Sequence, residues 1–399
     1  MKVAPPHYAG YRSFSYLEPG EDYVEFTLAA EVDRLPAHDL GLTAAEEDRA
    51  ERLLTENIAV SLHDHPVRLP EKAEAELSAW NREARLAYGY EGLSRSGLDA
   101  VFDNLDWGAC ESRNGWKWDD VITDLGMRFC DFAHQDYAIR AESVDDIRRA
   151  HAEGRLAAVA GLEGAALIEN EVDRLDVLYG LGVRQMGVAY SDQNSLGSGL
   201  RERGDGGLTE FGRRAVRRMN RLGIAIDLSH SGDRTALDVI EASDKPVLIT
   251  HAGARGLWDT PRMKPDEVIR ACAESGGMIG IEAAPYTTVS PDHRRHTIES
   301  VMDHFRYCVD LVGIEHVGFG PDTFFGDHMG LHHAMSEKLG VGSITAGPEF
   351  EPVEYVAGLE NPGECFRNIT RWLVKHGYSD TDIAAVTGGN ALRVLEKIS

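Results

Sequence analysis

What most constrains this chain is a set of short apolar runs that end on side chains able to hold a metal or carry a proton. Ile58-Ala-Val-Ser-Leu62 leads into His63-Asp64-His65, and Ala157-Ala-Val-Ala-Gly-Leu162 ends on Glu163. Gly223-Ile-Ala-Ile-Asp-Leu-Ser229 ends on His230, Pro246-Val-Leu-Ile-Thr250 on His251, and His316-Val-Gly-Phe-Gly-Pro321 on Asp322. Further runs near residues 98–104, 183–189 and 277–282 bring the candidate strands to eight, although Gly97 to Asn104 also reads as a helix end. One-faced helical patterns lie between several of them, at Val144 to His151, Phe211 to Leu222, Thr235 to Ala242, Pro265 to Glu274 and Ile298 to Val312. Such alternation implies parallel strands. Eight strands with functional groups at their C-terminal ends predict a (β/α)8 TIM barrel.

A chain of 399 residues exceeds the roughly 250 that such a barrel needs, which leaves room for additions. Residues 1–55, polar and rich in Pro and Gly before a charged helix from Thr43 to Leu54, read as an N-terminal extension packed on a barrel domain of residues 56–399. Thr323 to Ala357 carries five glycines without a long period, which predicts a loop excursion over the barrel mouth after the eighth strand. The C-terminal stretches from Pro362 to Val374 and from Ser379 to Ile398 read as helices, with Ser379 and Asp382 spaced as a capping pair.

A net charge of −25 excludes nucleic acid as a partner, because a phosphate backbone requires a basic stripe. The first residues lack the apolar core of a signal peptide and the last lack an anchor tail, so a cytoplasmic protein with no membrane anchor is expected. Five cysteines without a CxxC pair read as reduced thiols and not as a disulfide framework.

In His63-Asp64-His65 the histidines are two apart, so on an extended segment both project to one side and can grip one metal. Read singly, that pair is also compatible with a polar loop. Glu163, behind six small or apolar residues, needs a cleft, an ion pair or a metal. His230 and His251 each close an apolar strand and taken alone fit core histidines bonded to backbone. Asp322 can either cap a turn after Pro321 or bind metal while moving protons. Their common position at one end of a predicted barrel favours a single metal site over five separate coincidences.

The block from Gly207 to His230 resembles the membrane (renal) dipeptidase family of the amidohydrolase superfamily. So do Pro246 to Arg255, Glu274 to Ile281, His316 to Asp322 and Gly388 to Arg393, and the likeness extends over about residues 58–397. It implies a barrel holding two zinc ions bridged by Glu163 and a hydroxide. His63, His65 and Asp322 would complete one metal, and His230 and His251 the other. Asp322 would also pass a proton to the leaving amine, and Arg255 would hold the substrate's terminal carboxylate. The implied reaction is hydrolysis of a dipeptide or similar small carboxylate-bearing substrate, in a homodimer. A related metallohydrolase of a non-peptide amide, lactam or ester is the alternative, and a metal-binding pseudoenzyme a further one.

Two departures bear on the substrate. The family's first motif usually reads His-x-Asp, whereas here its third residue is His65; neutral imidazole in place of carboxylate leaves the site more positive. At the end of the fourth run, Tyr190 stands where dipeptidases carry a histidine that contacts the reacting carbonyl. Tyrosine can donate to an oxyanion there, or it can serve as an aromatic lid. Asp327-His328 and His332-His333 read mainly as solvated loop residues, and the Arg213 to Arg221 run as an outer helix face. Trp107, Trp116 and Trp118 read mainly as packing between loop and barrel.

Overall fold

A computed structural model describes residues 7–83, 85–105, 117–336 and 340–399. Its centre is one parallel sheet: β1 Val60–Asp64, β2 Ala100–Asn104, β3 Ala138–Arg140, β4 Leu156–Leu162, β5 Val183–Gly187, β6 Ala225–Asp227, β7 Leu248–Ala252, β8 Met278–Ile281 and β9 Val317–Phe319. All but β3 follow one another in the order β1-β2-β4-β5-β6-β7-β8-β9. Just beyond the strand ends the circle is drawn shut, as the Asp322 amide donates to His63 O (3.1 Å) and the His65 amide to Thr323 O (3.0 Å). The result is the predicted (β/α)8 barrel. The eight runs read from sequence coincide with its staves, and residues 100–104 resolve to strand.

β3 is the one strand without a counterpart in the sequence reading. It pairs with Leu156, Ala157 and Ala158 at the base of β4, and β5 takes over the same edge from Ala160 upward. Three residues are too few to show an alternation. The strands themselves are buried on both faces, as in parallel sheets covered by helices, which explains the continuous apolar runs.

The helix Glu210–Leu222 starts where Thr209 caps the Gly212 amide and stops at Gly223 in a left-handed turn. Ala215, Val216 and Met219 face the barrel, while Arg214, Arg217 and Arg221 point to water, as the charge run predicts. The helices Asp233–Ala242, Asp266–Glu274 and Ile298–Val312 likewise lie where the periodicity puts them. Two stretches differ. Residues 323–357 are not loop throughout, since Asp327 caps a helix His328–Ala334. The predicted helix through residues 379–398 is broken by a π turn, Ala385–Gly389, between Asp380–Ala384 and Asn390–Ile398, although Ser379 does cap Asp382.

The described part of the N-terminal segment is tied to the barrel at several points. The Ala29 amide donates to Leu69 O (2.9 Å), and Arg34 pairs with buried Glu360 (3.0 Å). Asp131, on the helix Trp118–Phe132, accepts from Tyr11 Oη, Ser13 Oγ, the Phe14 amide and Tyr90 Oη. No helix among the described residues is long and apolar enough to cross a membrane.

Candidate metal centre

All six residues singled out as ligands meet at the C-terminal mouth of the barrel. His63 and His65 rise from the end of β1, Glu163 follows β4, His230 follows β6, His251 lies in β7, and Asp322 follows β9. Close backbone approach makes this convergence possible. A Cβ at Gly187 would sit 1.8 Å from Glu163 O, and one at Gly320 would sit 2.2 Å from Thr250 O and 3.0 Å from the His63 amide nitrogen. Only glycine fits either position. Asp322 has φ +59°, a left-handed conformation that Asp tolerates better than most residues.

The donor atoms fall into two groups that share one carboxylate. His63 Nε2 and His65 Nε2 lie 3.3 Å apart. Glu163 Oε1 is 3.6 Å from the first and 3.2 Å from the second. Asp322 Oδ1 is 3.4 Å and 3.3 Å from the same two nitrogens. In the second group His230 Nε2 and His251 Nε2 are 3.0 Å apart, and Glu163 Oε2 is 3.4 Å from His230 Nε2. The two oxygens of Glu163 therefore face different histidine pairs. The groups also touch: the His63 ring stacks on His251 at 3.6 Å, and His63, Glu163 and His251 offer atoms within 4.8 Å of one another.

These spacings fit metal ions. Donors about 2.0 Å from a tetrahedral zinc stand about 3.3 Å from one another. Nitrogen and carboxylate oxygen atoms converging at that separation, on side chains almost wholly removed from water, form a donor set that a cation satisfies.

The electrostatics of the two groups differ. Burial alone would depress the His65 imidazolium, but bonds to Asp322 and Glu163 outweigh it and hold its pKa up at about 10. Burial likewise works to raise Asp322, yet His63 and His65 keep its carboxyl well below the usual range. His230 and His251 are both pushed well below the ordinary histidine value, chiefly by burial. The first group is thus rich in negative charge, whereas the second is two neutral imidazoles beside a shared carboxylate.

Surrounding side chains fix the ligands. Thr250 Oγ1 lies 2.8 Å from His251 Nδ1, and Ser191 Oγ lies 3.2 Å from His230 Nδ1. Asp64 carries no ligand atom to the cluster. It accepts from Ser61 Oγ and from the Thr323 amide and hydroxyl, stapling β1 to the segment that bears Asp322. Phe324 stacks on the His65 ring at 4.4 Å. Tyr190 lies over His230, with ring centroids 4.3 Å apart.

Arg255 stands on the loop after β7, where its guanidinium has protein partners. Its guanidinium is engaged by Asp233 and by the carbonyls of Thr260, Met263 and Pro261, and the cleft it lines contains none of the six ligand residues. The arginine set against the cluster is Arg262, buried, donating to His251 O (3.0 Å) and Ser229 O (3.3 Å) and paired with Glu282. Sequence reasoning passed over it because the two arginines stand on one loop, six residues between them, with no periodicity to rank them. It also missed Asn104, whose Nδ2 donates to Glu163 Oε1. The signal was present, since Asn104 ends an apolar run as the ligands do.

Among the loop histidines, His328 is buried, with its ring 5.0 Å from Phe324, so the solvated reading fails for it. His333 is exposed as expected. Trp118 begins a helix, with Arg174 over its ring at 4.8 Å, whereas Trp107 and Trp116 lie outside the described residues.

A parallel eight-stranded barrel with two histidine pairs sharing one carboxylate at its C-terminal mouth defines a metal-site barrel. The chain belongs to the membrane dipeptidase family, peptidase family M19, whose model matches residues 48–334 and 325–399. It is 30% identical over 264 residues to the dipeptidase aclJ of Aspergillus oryzae, an alignment covering 65% of this chain and 56% of that protein. With the dipeptidase tcpJ of Claviceps purpurea it shares 28% over 277 residues, covering 69% of this chain and 58% of the other. The match thus spans little more than half the length of these curated relatives. An amidohydrolase structure from Pseudomonas aeruginosa superposes with a TM-score of 0.72 at 27% identity, covering 88% of this chain and 98% of that one. A metallopeptidase from Rhodobacter sphaeroides, solved with a phosphinate mimic of the dipeptide L-Ala-D-Ala, shares the fold with a TM-score of 0.66 at 20% identity, covering 86% and 100%.

Proposed function

We propose that this chain is a zinc-dependent hydrolase that cleaves the amide bond of a dipeptide or similar small carboxylate-bearing substrate. The observation that carries the reading is the division of Glu163, one oxygen toward His63 and His65 and the other toward His230. Family membership and the dipeptidases among its relatives support the same activity. His63, His65 and Asp322 would hold one zinc ion, His230 and His251 the other, and Glu163 would span both. Zinc bound there supplies a water that is nucleophilic near neutral pH and polarises a carbonyl.

The chain's own groups do the rest. Asp322 is the most exposed of the six, its side chain 16% accessible against 1% and 4% for His63 and His65. That opening lets it hold a proton at a carboxylate oxygen and pass it to the departing nitrogen. Tyr190, beside His230, donates its hydroxyl hydrogen bond to the oxygen that gains charge as the carbonyl is attacked. Asn104 keeps the Glu163 carboxylate turned toward both groups.

The test combines metal analysis of the purified protein with hydrolysis of a panel of L,L and L,D dipeptides. Two zinc equivalents and turnover of at least one dipeptide are expected. Glu163→Gln is expected to lose metal and to lower kcat/KM by more than the roughly 100-fold that an outer hydrogen-bond partner supplies. A metal-loaded protein that cleaves no dipeptide would redirect the reading to another amide or an ester, an outcome for which His65 in place of an acid is the specific precedent.

A further inference from the structure

A strained residue stands between two groups of the candidate centre. Ser191 is buried and has φ +61°, in the left-handed region. Serine, unlike Asp or Asn, is not among the residues that tolerate that conformation well. Both sides of the turn lead to the cluster. Tyr190 immediately precedes it, and the Tyr190 ring lies over His230 with centroids 4.3 Å apart. Ser191 Oγ itself lies 3.2 Å from His230 Nδ1. With His230 Nε2 turned toward His251 and Glu163, Nδ1 keeps the hydrogen and donates it to that hydroxyl.

The strain is imposed from outside the turn. Within it, the Asp192 amide donates to Tyr190 O (2.8 Å), an i to i+2 bond around a residue of positive φ, which is the rarer and strained form of the γ-turn. A second segment, Ser198 to Arg201, is laid against it. The Arg201 amide donates to Ser191 O (2.8 Å), the Leu200 amide to His230 O (3.0 Å), and Ser198 O accepts from the Gly232 amide (3.0 Å). Gly199 permits this approach, since a Cβ there would sit 2.2 Å from Ser191 C. The segment thus braces the turn after β5 against the turn after β6, beyond the point where those strands last pair, at Gly187 and Asp227. Strained backbone persists only where its surroundings over-determine it, and it concentrates where a site must be held ready.

We propose that Ser191 is a positioning residue whose strained turn holds Tyr190 and His230 in fixed relation, the hydroxyl orienting the imidazole and the backbone aiming the phenol. The inference rests on the places given above to His230 as a ligand and to Tyr190 as an oxyanion donor. Glycine at this position would adopt the same φ without strain, and the phenol would lose its fixed aim.

The experiment compares wild type, Ser191→Ala and Ser191→Gly by thermal melting of the metal-free protein, by zinc titration against a chromophoric chelator, and by kcat on the best-cleaved dipeptide. Both variants lose the hydroxyl and should bind one of two zinc equivalents about tenfold more weakly than wild type. They differ in backbone, because alanine keeps the strain and glycine relieves it. Ser191→Gly is therefore expected to melt a few degrees above Ser191→Ala and yet to turn over about tenfold more slowly. A purely structural residue would move stability and turnover together. A glycine variant that turns over as fast as the alanine variant, or wild-type zinc affinity in both, overturns the inference. A wild type that binds zinc and cleaves no dipeptide overturns the substrate reading alone, and the zinc titration still decides the role of Ser191.

Discussion

The two halves of the ligand cluster are built from the same residue types but differ in charge and in what holds them. His63, His65 and Asp322 sit on the seam where the first and last strands meet, and they face each other as histidines against carboxylates. His230 and His251 stand on adjacent strands, oriented by the hydroxyls of Ser191 and Thr250 and flanked by the Tyr190 ring. One half is suited to retain a cation and to handle protons. The other presents neutral nitrogen donors beside a phenol that can meet developing negative charge.

The sharpest way to break this contrast is Tyr190→Phe, which keeps the ring over His230 and removes only the hydroxyl. Loss of an oxyanion donor is expected to lower kcat about 100-fold with metal content unaltered. Unchanged turnover in single-substrate kinetics would assign Tyr190 to packing alone. Thr250→Val removes the oriented partner of His251 without changing the side chain's shape. Chelator competition should then show one of the two metal equivalents bound at least about tenfold more weakly and the other nearly as in wild type. Equal weakening of both would mean that the halves act as one unit. The smallest effect is expected for His65→Asp, which makes the seam half more negative. It should raise metal retention there several-fold and shift preference from Ala-Ala toward its uncharged C-terminal amide. Equal occupancy and equal preference would remove any role for the charge at this position.

Much of this arrangement was legible before any coordinates. A buried parallel strand shows itself as an unbroken apolar run, and a ligand at its end interrupts that run with a polar residue, so His63, Glu163, His230, His251 and Asp322 advertise themselves. Strand β3 does not, because three residues carry no period. Asn104 also ends an apolar run, but an amide at a strand end announces no ligand, and its bond to Glu163 is what gives it meaning. Arg262 and Arg255 share one loop and one chemistry. Burial and partners separate them, and neither is written in the spacing. The particular bonds that anchor the N-terminal segment were equally hidden, since those to Asp131 span more than a hundred residues.

The seam also sets an order of assembly. Glu163, Ser191, His230, Thr250 and His251 are all present about 70 residues before Asp322 is made. The half of the pocket on the seam depends on a contact between Asp64 and Thr323, 259 positions apart. Closing so long a span is entropically costly and slow compared with docking neighbouring strands. During synthesis, therefore, the histidine half can gather before its counterpart exists, and the last stave of the barrel serves as the latch that completes the cation-binding pocket.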